Sequence, residues 1–226
     1  MNYLFGAGKS GPLPQTNWNG LTIGGVSGGA VGSVRGTGND ANPFPPNTGE
    51  LGNHGSGFTA GGQVGWNWMI APKVVVGVEG DISYLGIDHM SVSFFNGIGS
   101  GNQAALLVDT SWIATARGRI AYNTGPALLY VTGGGAWVHV KDTFIGNFGG
   151  VPSSSKTLSG WTAGGGIETV LWGNWSSKTE YLYVDVGEGD TLRDLPGAFA
   201  ITADHKFHLF RSGIVYRFGN NPLARL

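Results

Sequence analysis

Hydrophobic and polar positions alternate with a period of two over long stretches of the chain. In Phe58–Trp68 one parity reads Phe58, Ala60, Gly62, Val64, Trp66, Trp68 and the other Thr59, Gly61, Gln63, Gly65, Asn67. Val74–Tyr84 sets Val74, Val76, Val78, Ile82 and Tyr84 against Glu79, Asp81 and Ser83. Asp109–Tyr122 sets Trp112, Ala114, Ala116, Ile120 and Tyr122 against Ser111, Thr115, Arg117 and Arg119. Side chains of a strand point to opposite faces in turn, so this is strand alternation and not helical spacing. Gly20–Val31, Ala127–Val140, Gly160–Trp172, Trp175–Val184 and His205–Phe218 follow the pattern less cleanly and bring the expected strands to eight.

The connections have their own rhythm. Short ones with turn chemistry fall at Met69–Lys73, Asn123–Pro126 and Gly173–Asn174. Long ones, rich in Gly, Asn, Ser and Pro, fall at about 32–56, 86–108, 141–159 and 185–204. Strict alternation of long and short predicts an all-β, eight-stranded antiparallel up-and-down transmembrane β-barrel, with short periplasmic turns and long extracellular loops. Residues 18–218 form the barrel in this reading; 1–17 are a periplasmic N-terminal segment and 219–226 a C-terminal tail. An even strand count leaves both termini on the periplasmic rim.

Period two alone does not say which face is inside, since a soluble barrel inverts the same pattern. Charged residues make up 12% of the chain, about half of the roughly 25% usual for soluble domains, too few for a wall facing water. The eight tryptophans sit near strand ends: Trp18, Trp66, Trp68, Trp172 and Trp175 toward the short turns, Trp112, Trp137 and Trp161 toward the long loops. Two belts suit the two water–lipid interfaces, because indole is apolar with one polar N–H. The apolar parity then faces lipid. The strand charges Glu79, Asp81, Arg117, Arg119, Glu168, Lys178, Glu180, Arg211 and Arg217 face the lumen as a nearly neutral set, and Gly61, Gly65, Gly77, Gly164 and Gly166 on the inward parity leave them room.

Composition excludes other classes. A formal net charge of -1 gives no footprint for nucleic acid. With no cysteine there is no disulfide scaffold, thiolate metal site or thiol nucleophile. The window Ile120–Val138 lacks a formal charge but contains Asn123, Gly125, Pro126 and Gly133–Gly135, which read as a turn and a strand, not a spanning helix. Met1–Asn17, with Lys9 as its one charge and no apolar core, does not read as a secretory leader.

The segments WNGLTIGGVSGG (18–29), FTAGGQVGWNW (58–68), VVVGVEGDISYLG (74–86), LLYVTGGGAWV (128–138), GWTAGGGIETVLWGNWSSKTEYLYV (160–184) and FRSGIVYRFG (210–219) carry a resemblance over nearly the whole chain. In that order they resemble the small outer-membrane β-barrel proteins of alphaproteobacteria, a porin-like surface-antigen group related to opacity-protein and OmpA-type barrels. The resemblance implies surface-exposed loops, no enzymatic activity and no cofactor. It also implies an assembly signal in the last strand, here Ile214, Tyr216 and Phe218. Chains of the group typically end at or just past the final aromatic, whereas Gly219–Leu226 follows here.

Candidate chemistry adds little. His54, His89, His139, His205 and His208 lack metal-ligand spacing and read as loop or rim residues. His89-Met90-Ser91 has the spelling of the His-x-Ser pair of lipid A deacylases, but no acid lies between Asp88 and Asp109 to orient the base. The glycine runs Gly133–Gly135 and Gly164–Gly166 lie inside period-two segments rather than before a helix, so they are not phosphate cradles. The expected function is structural and surface-facing, with a largely plugged polar lumen. The alternatives are a narrow porin for ions or small polar solutes and, as a minor one, a lipid A-modifying barrel. Expected partners are outer-membrane lipid and lipopolysaccharide, the barrel-assembly machinery, and host or surface ligands at the loops of a monomer; no metal or cofactor is expected.

Overall fold

A computed structural model describes residues 16–40, 51–87, 90–95, 103–146, 153–195 and 199–219. Its strands are β1 (Gly20–Asp40), β2 (Leu51–Ala71), β3 (Val74–Ile87), β4 (Met90–Phe95), β5 (Gln103–Asn123), β6 (Ala127–Gly146), β7 (Ser153–Trp172), β8 (Trp175–Leu195) and β9 (Phe199–Phe218). All pair antiparallel. β3 and β4 both lie along β5, so together they form one stave of eight. β1 joins β2 on one side and β9 on the other, and β3 joins β5, which closes the sheet into a barrel.

The tight rim is built by turn residues. Pro72–Lys73 joins β2 to β3 and Gly173–Asn174 joins β7 to β8. Gly173 sits at φ 53°, a left-handed conformation that a two-residue hairpin turn needs and that glycine adopts without steric cost. The Asn123 backbone N–H donates to the Lys73 carbonyl at 2.9 Å, tying two neighbouring turns together.

The apolar parity faces outward. Val78, Ile82 and Tyr84 on β3 are 52%, 61% and 58% exposed, while Glu79, Asp81 and Ser83 between them are buried. On β2, Val64, Trp66 and Trp68 are exposed, and Gln63 and Asn67 are buried. The barrel is therefore inverted relative to a water-soluble one. Ser111 departs from its parity: the register shifts between Thr110 and Trp112, and the bulge turns Ser111 outward.

The staves are longer than the alternation indicates. Seven strands run 20 or 21 residues instead of the expected 10–14, and they consume much of the four long connections. The β1–β9 ladder continues unbroken from Leu21↔Phe218 to Asp40↔Phe199. Pairing needs only the backbone, whereas alternation needs one apolar face. Where the chain rises beyond the apolar band, as at Ser33 and Arg35 of β1, the outward residues are polar and the pattern fades while the ladder persists. Residues 1–15, 41–50, 88–89, 96–102, 147–152, 196–198 and 220–226, with the parts of the expected long connections, N-terminal segment and C-terminal tail that fall on them, lie outside the described residues.

Ala116 is exposed on the outer wall. Ala116→Arg is expected to weaken folding into phospholipid vesicles by about 2–4 kcal/mol, the cost of a base near the bilayer midplane. A denaturant titration followed by tryptophan fluorescence measures it.

Candidate functional site in the barrel lumen

The lumen is filled in three layers, and the middle one holds the charges. Strand parity places Glu79 and Asp81 on β3, Arg117 and Arg119 on β5, Glu168 on β7, Lys178 and Glu180 on β8 and Arg211 on β9, all buried. Arg117 Nη2 meets Glu79 Oε1 at 2.5 Å and Asp81 Oδ2 at 2.8 Å, and its Nη1 reaches Glu180 Oε2 at 3.2 Å. Arg211 bridges Asp81 Oδ1 at 2.7 Å and Glu180 Oε1 at 2.6 Å. Lys178 Nζ donates to both oxygens of Glu79, at 2.6 and 2.7 Å, and to Gln63 Oε1 at 3.0 Å. Arg119 pairs with Glu168 at 2.9 Å.

These contacts cross the barrel. In the ring of staves β3 stands opposite β8, so the Lys178–Glu79 pair spans the bore. Glu168 faces Lys178 in register, yet each takes a partner from farther around the ring. Neutral groups complete the network: Tyr130 Oη donates to Glu180 at 3.2 Å, Ser176 Oγ to Glu168 at 2.7 Å, Ser83 Oγ accepts from Arg211 at 3.2 Å, and Thr115 Oγ1 donates to Asp81. Gly166 makes room for Tyr130, since a Cβ there would lie 2.8 Å from the phenol oxygen. Buried ions are tolerable only when paired, and each of these has an ion-pair partner, although the Nε groups of Arg117 and Arg119 have no hydrogen-bond partner among the described residues.

Arg217 stands apart. Its guanidinium carbon lies 4.1 Å from the centroid of the Trp18 ring, and its Nη1 donates to the Asn17 carbonyl at 2.9 Å. Trp18 corrects the expected tryptophan belt, because it is fully buried rather than turned to the outer wall. The chain ahead of β1 folds under the tight rim and carries the indole into the lumen. There Nε1 donates to Asn123 Oδ1 at 3.1 Å, and Val75, Ala121, Leu128 and Tyr130 surround the ring. A ring over a cation and an N–H with an acceptor satisfy both halves of tryptophan better than an interface would. Thr16 is buried with it, so part of residues 1–17 belongs to the barrel's closure.

Toward the loop rim the interior is apolar. Val34, Leu85, Ile87, Ile113, Val138, Val140, Leu182, Val184, Phe207 and Leu209 are buried in one cluster. The ion-pair network is thus confined to the middle of the lumen. The sequence carries a signal for this: in Ala127–Val140, Trp175–Val184 and His205–Phe218 the inward parity holds Val138, Val140, Leu182, Val184, Phe207 and Leu209, which is why alternation there is weak. Gln63 and Tyr130 had no such signal, because a lone amide or phenol on an inward parity says nothing of its partner.

On the outer wall Trp66, Trp68, Trp137, Trp161, Trp172 and Trp175 are exposed. Trp112 is half-buried and stacked on His139 at 5.6 Å between ring centroids. Ile214 and Phe218 are exposed on β9, with Tyr216 packed between Trp175 and Phe218 at 4.9 and 4.8 Å. The His89 and Ser91 side chains lie outside the described residues, and no cluster of metal-binding side chains occurs among the described ones.

An inverted, closed, eight-stave barrel with a paired ionic lumen defines a protein of the bacterial outer membrane. The chain belongs to the family described as outer membrane protein beta-barrel domain, which matches residues 3–218. It is 34% identical over 168 residues to the 31 kDa outer-membrane immunogenic protein of Brucella melitensis, covering 72% of this chain and 67% of that one. It is also 34% identical over 149 residues to a 22 kDa outer membrane protein of Rhizobium leguminosarum, covering 64% and 61%. Among solved structures, the outer membrane protein OprG of Pseudomonas aeruginosa aligns with a TM-score of 0.49 at 14% identity, over 91% of this chain and 99% of that one.

Glu180 holds the network together, since Arg117, Lys178, Arg211 and Tyr130 all lie against it. Glu180→Ala is expected to destabilise the barrel by about 3–5 kcal/mol in equilibrium unfolding, because it strands buried cations. Adding Arg211→Met is expected to recover part of that loss, which a double-mutant cycle reads.

Proposed function

We propose that the protein is a closed, non-conducting barrel of the outer membrane with a structural and surface-display role and no enzymatic activity. The continuous filling of the lumen carries this reading: Trp18 at the tight rim, ion pairs across the middle, an apolar cluster toward the loops. Eight strands enclose a bore just wide enough for side chains to fill, and here each layer is filled by a different chemistry.

In this reading the tight rim and both chain ends face the periplasm and the loop rim faces the cell exterior, as is usual for such barrels. The word immunogenic in the names of the Brucella relatives supports display at the surface. The apolar outer wall meets lipid and lipopolysaccharide as a monomer. The barrel-assembly machinery would read the outward row Ile214, Tyr216 and Phe218, and the long connections would meet host or surface ligands.

Refolded protein in a planar bilayer at neutral pH is expected to insert without discrete current steps. Trp18→Ala is expected to stay silent as well, because the apolar cluster still closes the other end. Salt-dependent steps from the unaltered chain would replace this reading with a narrow porin whose selectivity is set by Glu79, Asp81, Arg117 and Arg119. An epitope inserted between residues 41 and 50 is expected to bind antibody on intact cells; binding only after the envelope is opened would reverse the orientation.

A further inference from the structure

The apolar layer toward the loop rim contains one group foreign to it. His205, on the inward face of β9, is fully buried, and among the described residues neither Nδ1 nor Nε2 has a hydrogen-bond partner. Val34 stands opposite it on β1, and Phe207 and Val186 belong to the same buried cluster. Asp185 faces Lys206 across β8 and β9 on the outer wall, at the height of Trp161. His205 lies one residue farther toward the loops, and so on the water side of the apolar band.

The charged groups at this height divide by face. Arg35, Asp185, Asp204 and Lys206 have the outward parity of β1, β8 and β9. Lys156 of β7 has the inward parity, with Leu158 and Thr162 below it, and among the described side chains no carboxylate shares that face with His205. Burial, with repulsion from Lys156 added, pushes the imidazole down to about 4 from its ordinary value. A neutral ring is tolerated in this layer, but a charged one meets no counter-ion among the described side chains.

We propose that His205 is the trigger of an acid-opened seal: when the ring takes up a proton, the apolar layer parts and water enters the loop-side half of the lumen. The sealed state binds fewer protons at this site than the opened state, in which the ring has its ordinary affinity. Sealing is therefore fully favoured above about pH 6.5 and weakens as the pH falls toward 4, by on the order of a hundred-fold in the equilibrium. The backbone ladder does not titrate, so the wall stays closed, and the ion pairs below the layer keep the opening from becoming a through channel. The inference rests on the closed-barrel reading: conduction at neutral pH would mean that the apolar layer is already wet and would overturn both, whereas a flat labelling ratio in a silent barrel overturns this one alone.

The absence of cysteine gives a clean background for a reporter. Val138 is buried in the apolar layer, and Thr124 is exposed at the tight rim. Val138→Cys and Thr124→Cys, each in folded protein in vesicles open to the reagent on both sides, would be labelled with a water-soluble pyridyl disulfide, which reacts with thiols in acid. The ratio of the Val138→Cys rate to the Thr124→Cys rate is expected to rise on the order of a hundred-fold from pH 7 to pH 4. With His205→Phe added, the ratio is expected to stay flat. His205→Gln, which keeps polarity without a titrating group, is expected to do the same and serves if the phenylalanine variant loses the gel mobility of the folded barrel. A flat ratio with His205 present, or an equal rise without it, overturns the proposal.

Discussion

Closure of the backbone hydrogen-bond ladder is the constraint on which the rest of this molecule depends. In a bilayer every unpaired N–H and C=O is costly, and a sheet escapes that cost only by having no edge. Here β1 meets β9 along twenty registered pairs and β3 meets β5 at the remaining junction. Once eight staves close, the bore is set at about the width of opposing side chains. The interior must then be packed as a core is packed, although its middle is built of ions.

That requirement explains the layering. Where the chain supplies charges, it supplies both signs at one height, and three of the four carboxylates serve more than one cation. Glu79 takes Arg117 and Lys178, Asp81 takes Arg117 and Arg211, and Glu180 takes all three of those cations. Sharing satisfies buried groups with few residues, and it couples staves that are not neighbours. Toward the loops the same bore is filled by valine, leucine and isoleucine, which ask for no partner. At the tight rim Trp18 covers Arg217, the base to which the ring of carboxylates brings no ion pair among the described residues.

The outer wall obeys a different solvent. Its apolar residues are exposed in the barrel itself, with Ile82 at 61% and Val131 at 65%, and would be a liability in water. Tryptophans mark the two levels where that wall ends, and the outward Asp185–Lys206 rung marks where charge becomes tolerable again. A fold of this kind separates its tasks by face: outside for lipid, inside for stability, rims for contact with water.

Much of this was legible in the chain. The alternation in Phe58–Trp68 and Val74–Tyr84, the turns at Gly173–Asn174 and Asn123–Pro126 and the low charge content together determined a closed, inverted barrel, because period, turn chemistry and solvent preference are local properties. Parity also put Glu79, Asp81, Arg117, Arg119, Lys178, Glu180 and Arg211 on one face. Tertiary structure alone decided that Lys178 reaches across the bore to Glu79 rather than to Glu168 beside it. It also decided that strands persist where alternation ends. Trp18 shows why: its sequence position suits an interface belt, and only the path of the chain under the rim, toward Asn123 and Arg217 more than a hundred residues away, turns it inward.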